Sequence, residues 1–300
     1  MTKVLVTGAS GFIGRALCNA LRESDCELVE VSHQDGDISK PSTLAHVGPA
    51  DHVFHLAGKT FVPDSWKEPV DFIDTNVVGT TNVTDYCRRH GARLTLVSAY
   101  LYGQPDYLPI PEQAVARPNN PYALSKYLSE RICEFHAGHY GMDVSLIRPF
   151  NIFGPGQKEH FLIPHILKQV LAGQAIRIKD VAPRRDYLFI DDFVDALLKT
   201  MYGPRGYNVF NIGSGSSLSV KEIIGVIQNV AGTKLPIIDE AKTRDNEIYD
   251  VYADCCKAHI CLKWSPTTTF RQGIEKIIGL SSRPFQKSEK KVKFKMRSKQ

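Results

Sequence analysis

Apolar positions along this chain follow two alternating rhythms. Short runs rich in Val, Ile and Leu are followed by longer stretches in which apolar residues recur every three or four positions. The runs "KVLVT" (3–7), "ELVEVS" (27–32), "HVFHLA" (52–57), "RLTLVS" (93–98) and "DVSLIR" (143–148) predict strands. "KVLVT" is β-branched, largely apolar and backed by turn glycines, as a central strand covered on both faces must be. "FIGRALCNALRES" (12–24) and the segments about 71–90 and 122–140 carry helical spacing. Strand and helix in strict alternation predict an α/β fold, a doubly wound parallel sheet with right-handed crossovers. Past about residue 150 the alternation loosens into helices near 161–172, 191–202, 219–231 and 268–279. The expected organisation is a nucleotide-binding unit over 1–150, to which 185–215 returns, a smaller α/β lobe over 151–280, and a tail over 281–300. There is no internal repeat.

Composition adds limits. With 43% hydrophobic and 23% charged residues in 300, the chain has enough apolar side chains for a sizeable core. No apolar run approaches the roughly 20 residues that span a bilayer. No leader pattern precedes "KVLVTGASG", so a cytoplasmic location is expected. The net charge of +5 is misleading as a partner signal. Residues 281–300 hold eight Lys or Arg against one Glu, a surplus of seven, which leaves the preceding 280 residues at −2. The tail is expected to be disordered, and the body is not a polyanion-binding surface, so no nucleic acid is expected as a partner. Seven scattered cysteines, an odd number, suit reduced thiols, and "CCKAHIC" (255–261) lacks the spacing of a metal cluster.

"TGASGFIG" places glycines at 8, 11 and 14 between a strand and a helix. Gly8 permits the tight turn, Gly11 lets backbone approach a pyrophosphate, and Gly14 allows close helix packing. Ser10, Phe12 and Ile13 complete a loop whose free N–H groups face the phosphates. This GxxGxxG spacing resembles that of the short-chain dehydrogenase/reductase superfamily. The resemblance implies a Rossmann-type fold and an acid at the end of the second strand to hold the NAD ribose. Ser32 and His33 stand there instead, with no carboxylate to repel a 2′-phosphate, so NADP(H) and NAD(H) both remain open and Arg15 is a candidate for the extra phosphate. The resemblance further assigns Asp37 and Ile38 to the adenine edge, Leu56, Ala57 and Gly58 to the dinucleotide, and Asn76 to the active-site floor.

"NNPYALSKYLSE" (119–130) sets Tyr122 four residues before Lys126. Alone this is weak, because any residues four apart share a helix face. Ser98, ending the fourth strand at the edge where open α/β sheets bind ligands, completes the Ser, Tyr, Lys set of the resembled superfamily. A tyrosine with a pKa of about 10 is a poor base near neutrality. A drop of about three units requires roughly 4 kcal/mol from a nearby cation, expected here from Lys126. Tyr122 would then exchange a proton with a substrate oxygen that Ser98 also hydrogen-bonds, while hydride moves to or from nicotinamide.

"RPFNIFGPGQK" (148–158), "RRDYLFIDDFVDAL" (184–197) and "FNIGSGSSLSVKEII" (210–224) are similar to marker segments of the NAD-dependent epimerase/dehydratase family, extended short-chain reductases acting on nucleotide sugars. That resemblance covers about residues 1–280. It implies a nucleotide-diphosphate sugar as substrate, Asn151, Arg185 and Arg244 as contacts to its diphosphate, and a homodimer paired through the helices near 71–90 and 122–140. Ser98, Ala99 and Tyr100 replace the Thr-Asp-Glu run that a sugar 4,6-dehydratase needs for elimination, which argues against that activity. The expected activity is reduction of a 4-keto-6-deoxyhexose, in the manner of GDP-4-keto-6-deoxy-D-mannose reductases. The alternatives are a UDP-hexose 4-epimerase with tightly bound NAD and a non-catalytic NAD(P)-binding sensor, the latter opposed by the intact triad.

Overall fold

The computed structural model describes residues 1–242 and 248–281. Six strands form its main sheet: β1 (Thr2–Thr7), β2 (Cys26–Val31), β3 (His52–His55), β4 (Arg93–Val97), β5 (Val144–Pro149) and β6 (Tyr207–Ile212). They lie in the order β6-β5-β4-β3-β1-β2, every neighbouring pair parallel. Leu5 is in register with Val29 on one side and Val53 on the other. The two-residue period of a strand sends Leu5, Val53, Leu94 and Leu96 to one face and Val4, Val6, Phe54 and Val97 to the other, and both sets are buried. Helices therefore cover both sides. Leu17 and Leu21 of α1 (Phe12–Arg22) join the second set, whereas Val83, Tyr86 and Cys87 of α2 (Gly79–His90) and Cys133 of α3 (Pro121–Tyr140) join the first.

From β1 the chain moves outward to β2 and then returns to place β3 on the other side of β1. The carboxyl ends of β1 and β3 thus flank the point where winding reverses, which is where open α/β sheets bind ligands. The sixth strand comes from beyond residue 150 and pairs with β5. α4 (Ile190–Thr200), the helix before it, buries Phe193 and Leu197 in the α1-side core. The rest of the second half forms small sheets: 151–153 beside 187–189, 176–178 beside 237–239, and 184–185 between 218–219 and 250–251. No helix among the described residues is long and apolar enough to cross a membrane. The basic tail beyond 281 lies outside the described residues.

One predicted helix differs in kind. The segment 71–90 is a short helix over Pro69–Phe72, a π-helical stretch over Ile73–Val78, and α2. The wider π turn brings Asn76 inward, where its backbone carbonyl accepts hydrogen bonds from Thr80 Oγ1 (2.5 Å) and Ser129 Oγ (2.8 Å). Such stretches gather at functional sites, and propensity alone does not reveal them.

Candidate active site

The phosphate loop is built by steric necessity. Gly8 has φ +74°, and a Cβ there would lie 2.6 Å from the Ala57 nitrogen across the β1–β3 crevice. At Gly14 a Cβ would lie 2.1 Å from the Gly8 carbonyl, so α1 starts directly against the loop. Gly11 is the N-cap of α1 and no side chain caps it, which leaves first-turn N–H groups turned toward the loop. Ser10 Oγ lies 3.4 Å from His33 Nδ1, and Phe12 and Ile13 pack against the core. A cradle open to backbone approach, with uncapped N–H donors at a helix N-terminus, fits the pyrophosphate of a dinucleotide.

At the ribose end Ser32 and His33 follow β2, and a carboxylate lies in the turn just beyond: Asp35 folds back so that Ser32 N (2.8 Å) and Ser32 Oγ (2.9 Å) donate to it. These bonds, the backbone one first, hold its carboxyl below the usual range. Arg15 lies beside the glycine loop. Its guanidinium donates to the carbonyls of Ser10 (2.6 Å) and Gly156 (3.5 Å), tying the glycine loop to the 154–157 turn. Asp37 caps the Ser39 nitrogen at 2.9 Å, and Ile38 is buried against Gly79.

On the other side of the crevice, Leu56, Ala57 and Gly58 follow β3. Asn76 Oδ1 accepts from Lys59 N (2.9 Å) and its Nδ2 donates to Ser125 Oγ (2.8 Å), stitching this loop to α3. A Cβ at Gly58 would come within 2.9 Å of Asn76 Oδ1 and 3.6 Å of Lys126 Nζ. Just before this loop His55 is buried between the hydroxyls of Thr7 (2.7 Å) and Thr80 (3.2 Å). Burial, assisted by the charge of Lys126, drives its pKa down to about 3.

α3 begins with Asn120 accepting from Ala123 N (2.8 Å) and Pro121 in its first turn, so Tyr122 and Lys126 fall within its first two turns. Lys126 is buried, and its Nζ donates to the carbonyl of Val97 at 2.7 Å, directly beside Ser98. Burial lowers its pKa to about 8 against the opposing pull of Glu130. Tyr122 is partly buried, with its ring edge-on to Phe72 at 6.3 Å. Desolvation pushes the Tyr122 phenol up from its ordinary value. Lys126 points at the strand carbonyl, and no hydrogen bond reaches the phenol among the described residues.

Ser98 is buried at the end of β4 and its hydroxyl donates to Glu130 Oε1 at 2.6 Å. Arg148 closes on the same carboxylate through Nε (3.0 Å) and Nη2 (2.6 Å). The sequence reading missed Glu130, although the four-residue spacing from Tyr122 to Lys126 continues to it.

Asn151 and Arg185 meet around Asp186. Asn151 donates to the Asp186 carbonyl from both its backbone N and its Nδ2, each at 3.0 Å. Asp186 does not pair with Arg185 through its side chain; its buried carboxylate takes the N–H groups of Ser214 (2.6 Å), Gly215 (3.1 Å) and Ala253 (3.1 Å). Arg185 donates to the carbonyls of Arg184 (2.8 Å) and Ile248 (2.5 Å). Its charge also reaches Tyr100, two residues after Ser98, where it opposes the upward push of burial on that phenol. Arg244 lies outside the described residues.

A family model described as "NAD dependent epimerase/dehydratase family" matches residues 4–213. A GDP-6-deoxy-D-mannose reductase of Pseudomonas aeruginosa is 31% identical over 292 residues, covering 92% of this chain and 96% of its own. A UDP-glucose 4-epimerase of Mycolicibacterium smegmatis is 29% identical, covering 92% and 97%. The solved structure of RMD from Pseudomonas aeruginosa complexed with NADPH superposes with a TM-score of 0.86 at 29% identity, covering 93% of this chain and 98% of the other.

Proposed function

The chain belongs to the NAD dependent epimerase/dehydratase family, and from that premise we propose that it reduces C4 of a nucleotide-linked 4-keto-6-deoxyhexose, with Tyr122 as the proton donor. It is an NAD(P)-dependent enzyme. The observation that carries the reading is the approach of Lys126 Nζ to the Val97 carbonyl, which sets the Tyr122 and Lys126 face of α3 against the β4 end where Ser98 sits. The reductase relative supports the substrate class.

When bound, the dinucleotide supplies hydride at nicotinamide C4. Gly8, Gly11 and the first turn of α1 hold its pyrophosphate, and Leu56, Ala57 and Gly58 line its path. Lys126 positions the nicotinamide ribose and contributes its charge. Tyr122 donates its phenolic proton to the oxygen forming on C4, and the burial that raises its pKa keeps that proton in place until the oxygen develops charge. Ser98 contacts the same oxygen. Asn151 and Arg185 hold the diphosphate. The exposed Leu124, Leu128 and Phe135 on α3, with Val78 before α2, offer an apolar face for a homodimer.

A second reading, a UDP-hexose 4-epimerase that retains NAD, is favoured by Asp35, whose carboxylate suits ribose hydroxyls and repels a 2′-phosphate. Denaturing the purified protein and identifying the released small molecule separates the two. A preparation without retained cofactor that oxidises NADPH only with an added nucleotide 4-keto-6-deoxy sugar supports the reductase; stoichiometric NAD refutes it. Tyr122→Phe should lower turnover by about 100-fold or more while cofactor binding persists; unchanged turnover refutes the mechanism.

A further inference from the structure

Glu130 has no exposed surface and stands four residues beyond Lys126 and eight beyond Tyr122 on α3, so the helix carries all three on one face. Both its oxygens are occupied by donors: Ser98 Oγ and Arg148 Nε on Oε1, Arg148 Nη2 on Oε2. Arg148 is anchored in turn by Tyr102 Oη at 3.0 Å and the Glu112 carbonyl at 3.1 Å, and Tyr102 donates to Asn211 Oδ1 at 2.6 Å. An arginine has only donors and stays protonated, so the proton between Ser98 and Glu130 belongs to the serine. A buried ion pair is poor evidence for stability, since apolar replacements of equal volume are often as stable. One placed behind a serine at the strand end points to a task there.

We propose that Glu130 is a positioning residue that acts through Ser98. Its carboxylate, locked by Arg148, accepts the hydrogen bond that the serine hydroxyl donates, fixes the serine rotamer and leaves the lone pairs of Oγ for the site. Ser98 in this arrangement accepts a hydrogen bond from the hydroxyl that forms on C4 once Tyr122 has given up its proton. The inference rests on the assignment of Ser98 and Tyr122 above.

The test is a double-mutant cycle read in kcat, in KM for the nucleotide sugar and in NADPH affinity. Glu130→Asp keeps a charge opposite Arg148 while its shorter arm withdraws from Ser98. The paired change Glu130→Met with Arg148→Met removes the ion pair without orphaning either charge, and carries the measurement should the aspartate variant not fold. Either should lower kcat by about 100-fold, the cost of misplacing a reacting group by about 1 Å, with NADPH affinity within about twofold of the parent. Combined with Ser98→Ala, neither should lower kcat further. Losses of the same size with and without the serine, or a tenfold loss of NADPH affinity, overturn the proposal. Unchanged kcat in Ser98→Ala alone refutes the catalytic reading of Ser98 itself, and is read independently of the Glu130 variants.

Discussion

Replacing Lys126 by Met removes a cation that folding has driven out of water. Burial lowers the Lys126 pKa from its ordinary 10.5 to about 8, so at pH 7 the folded protein holds an ammonium ion that it would hold more easily as an amine. The difference corresponds to about 3 kcal/mol at pH 7. Against this, the variant loses the hydrogen bond to Val97, worth about 1 to 2 kcal/mol with the carbonyl left unpaired. Lys126→Met should therefore be about 1 to 2 kcal/mol more stable at pH 7, and at the same time impaired in turnover. The sharper signature lies in the pH dependence. Between pH 8 and 10.5 the unfolded chain keeps the lysine proton that the folded chain has released, so stability rises with pH in that window and is lost as pH falls through about 8. From pH 7 to pH 9 Lys126 contributes an increase of about 1.4 kcal/mol. Urea unfolding of parent and variant at both pH values measures it, because every other titrating group cancels in the difference. Identical pH dependence in the two proteins would refute the reasoning.

Three further outcomes follow from the same geometry. Gly8→Ala forces a Cβ to 2.6 Å from the Ala57 backbone at φ +74°, and should cost about 2 kcal/mol or more in urea unfolding together with most cofactor affinity in a fluorescence titration. His52 and His55 are buried with pKa values pushed down to about 3, so the stability they allow is complete above pH 6.5 and is lost as pH falls toward 3. Unfolding at pH 5 should show a loss of about 2 kcal/mol per histidine relative to pH 7.5, and His55→Asn should remove one such share. Asp35→Asn should raise the NADPH-over-NADH preference about tenfold in parallel titrations with the two nucleotides; an unchanged ratio would remove Asp35 from the ribose site.

The amino-acid sequence by itself determined the alternating strands and helices, the glycine loop and the placement of Tyr122 and Lys126 one turn apart on a helix, because each is written in local spacing. A strand covered on both faces needs an apolar run, a phosphate turn needs glycines where a Cβ would collide, and one helical turn needs four residues. Only the tertiary structure decided what those side chains meet. The π turn at Asn76 and the closure of Arg148 on Glu130 depend on contacts between segments far apart in the chain. So does the position of Asp35, whose carboxylate folds back three residues to Ser32. Electrostatics belongs to the same class: Lys126 is an ordinary lysine in the sequence, and its lowered pKa arises only when the end of β4, the 56–58 loop and α3 close over it and take its water away.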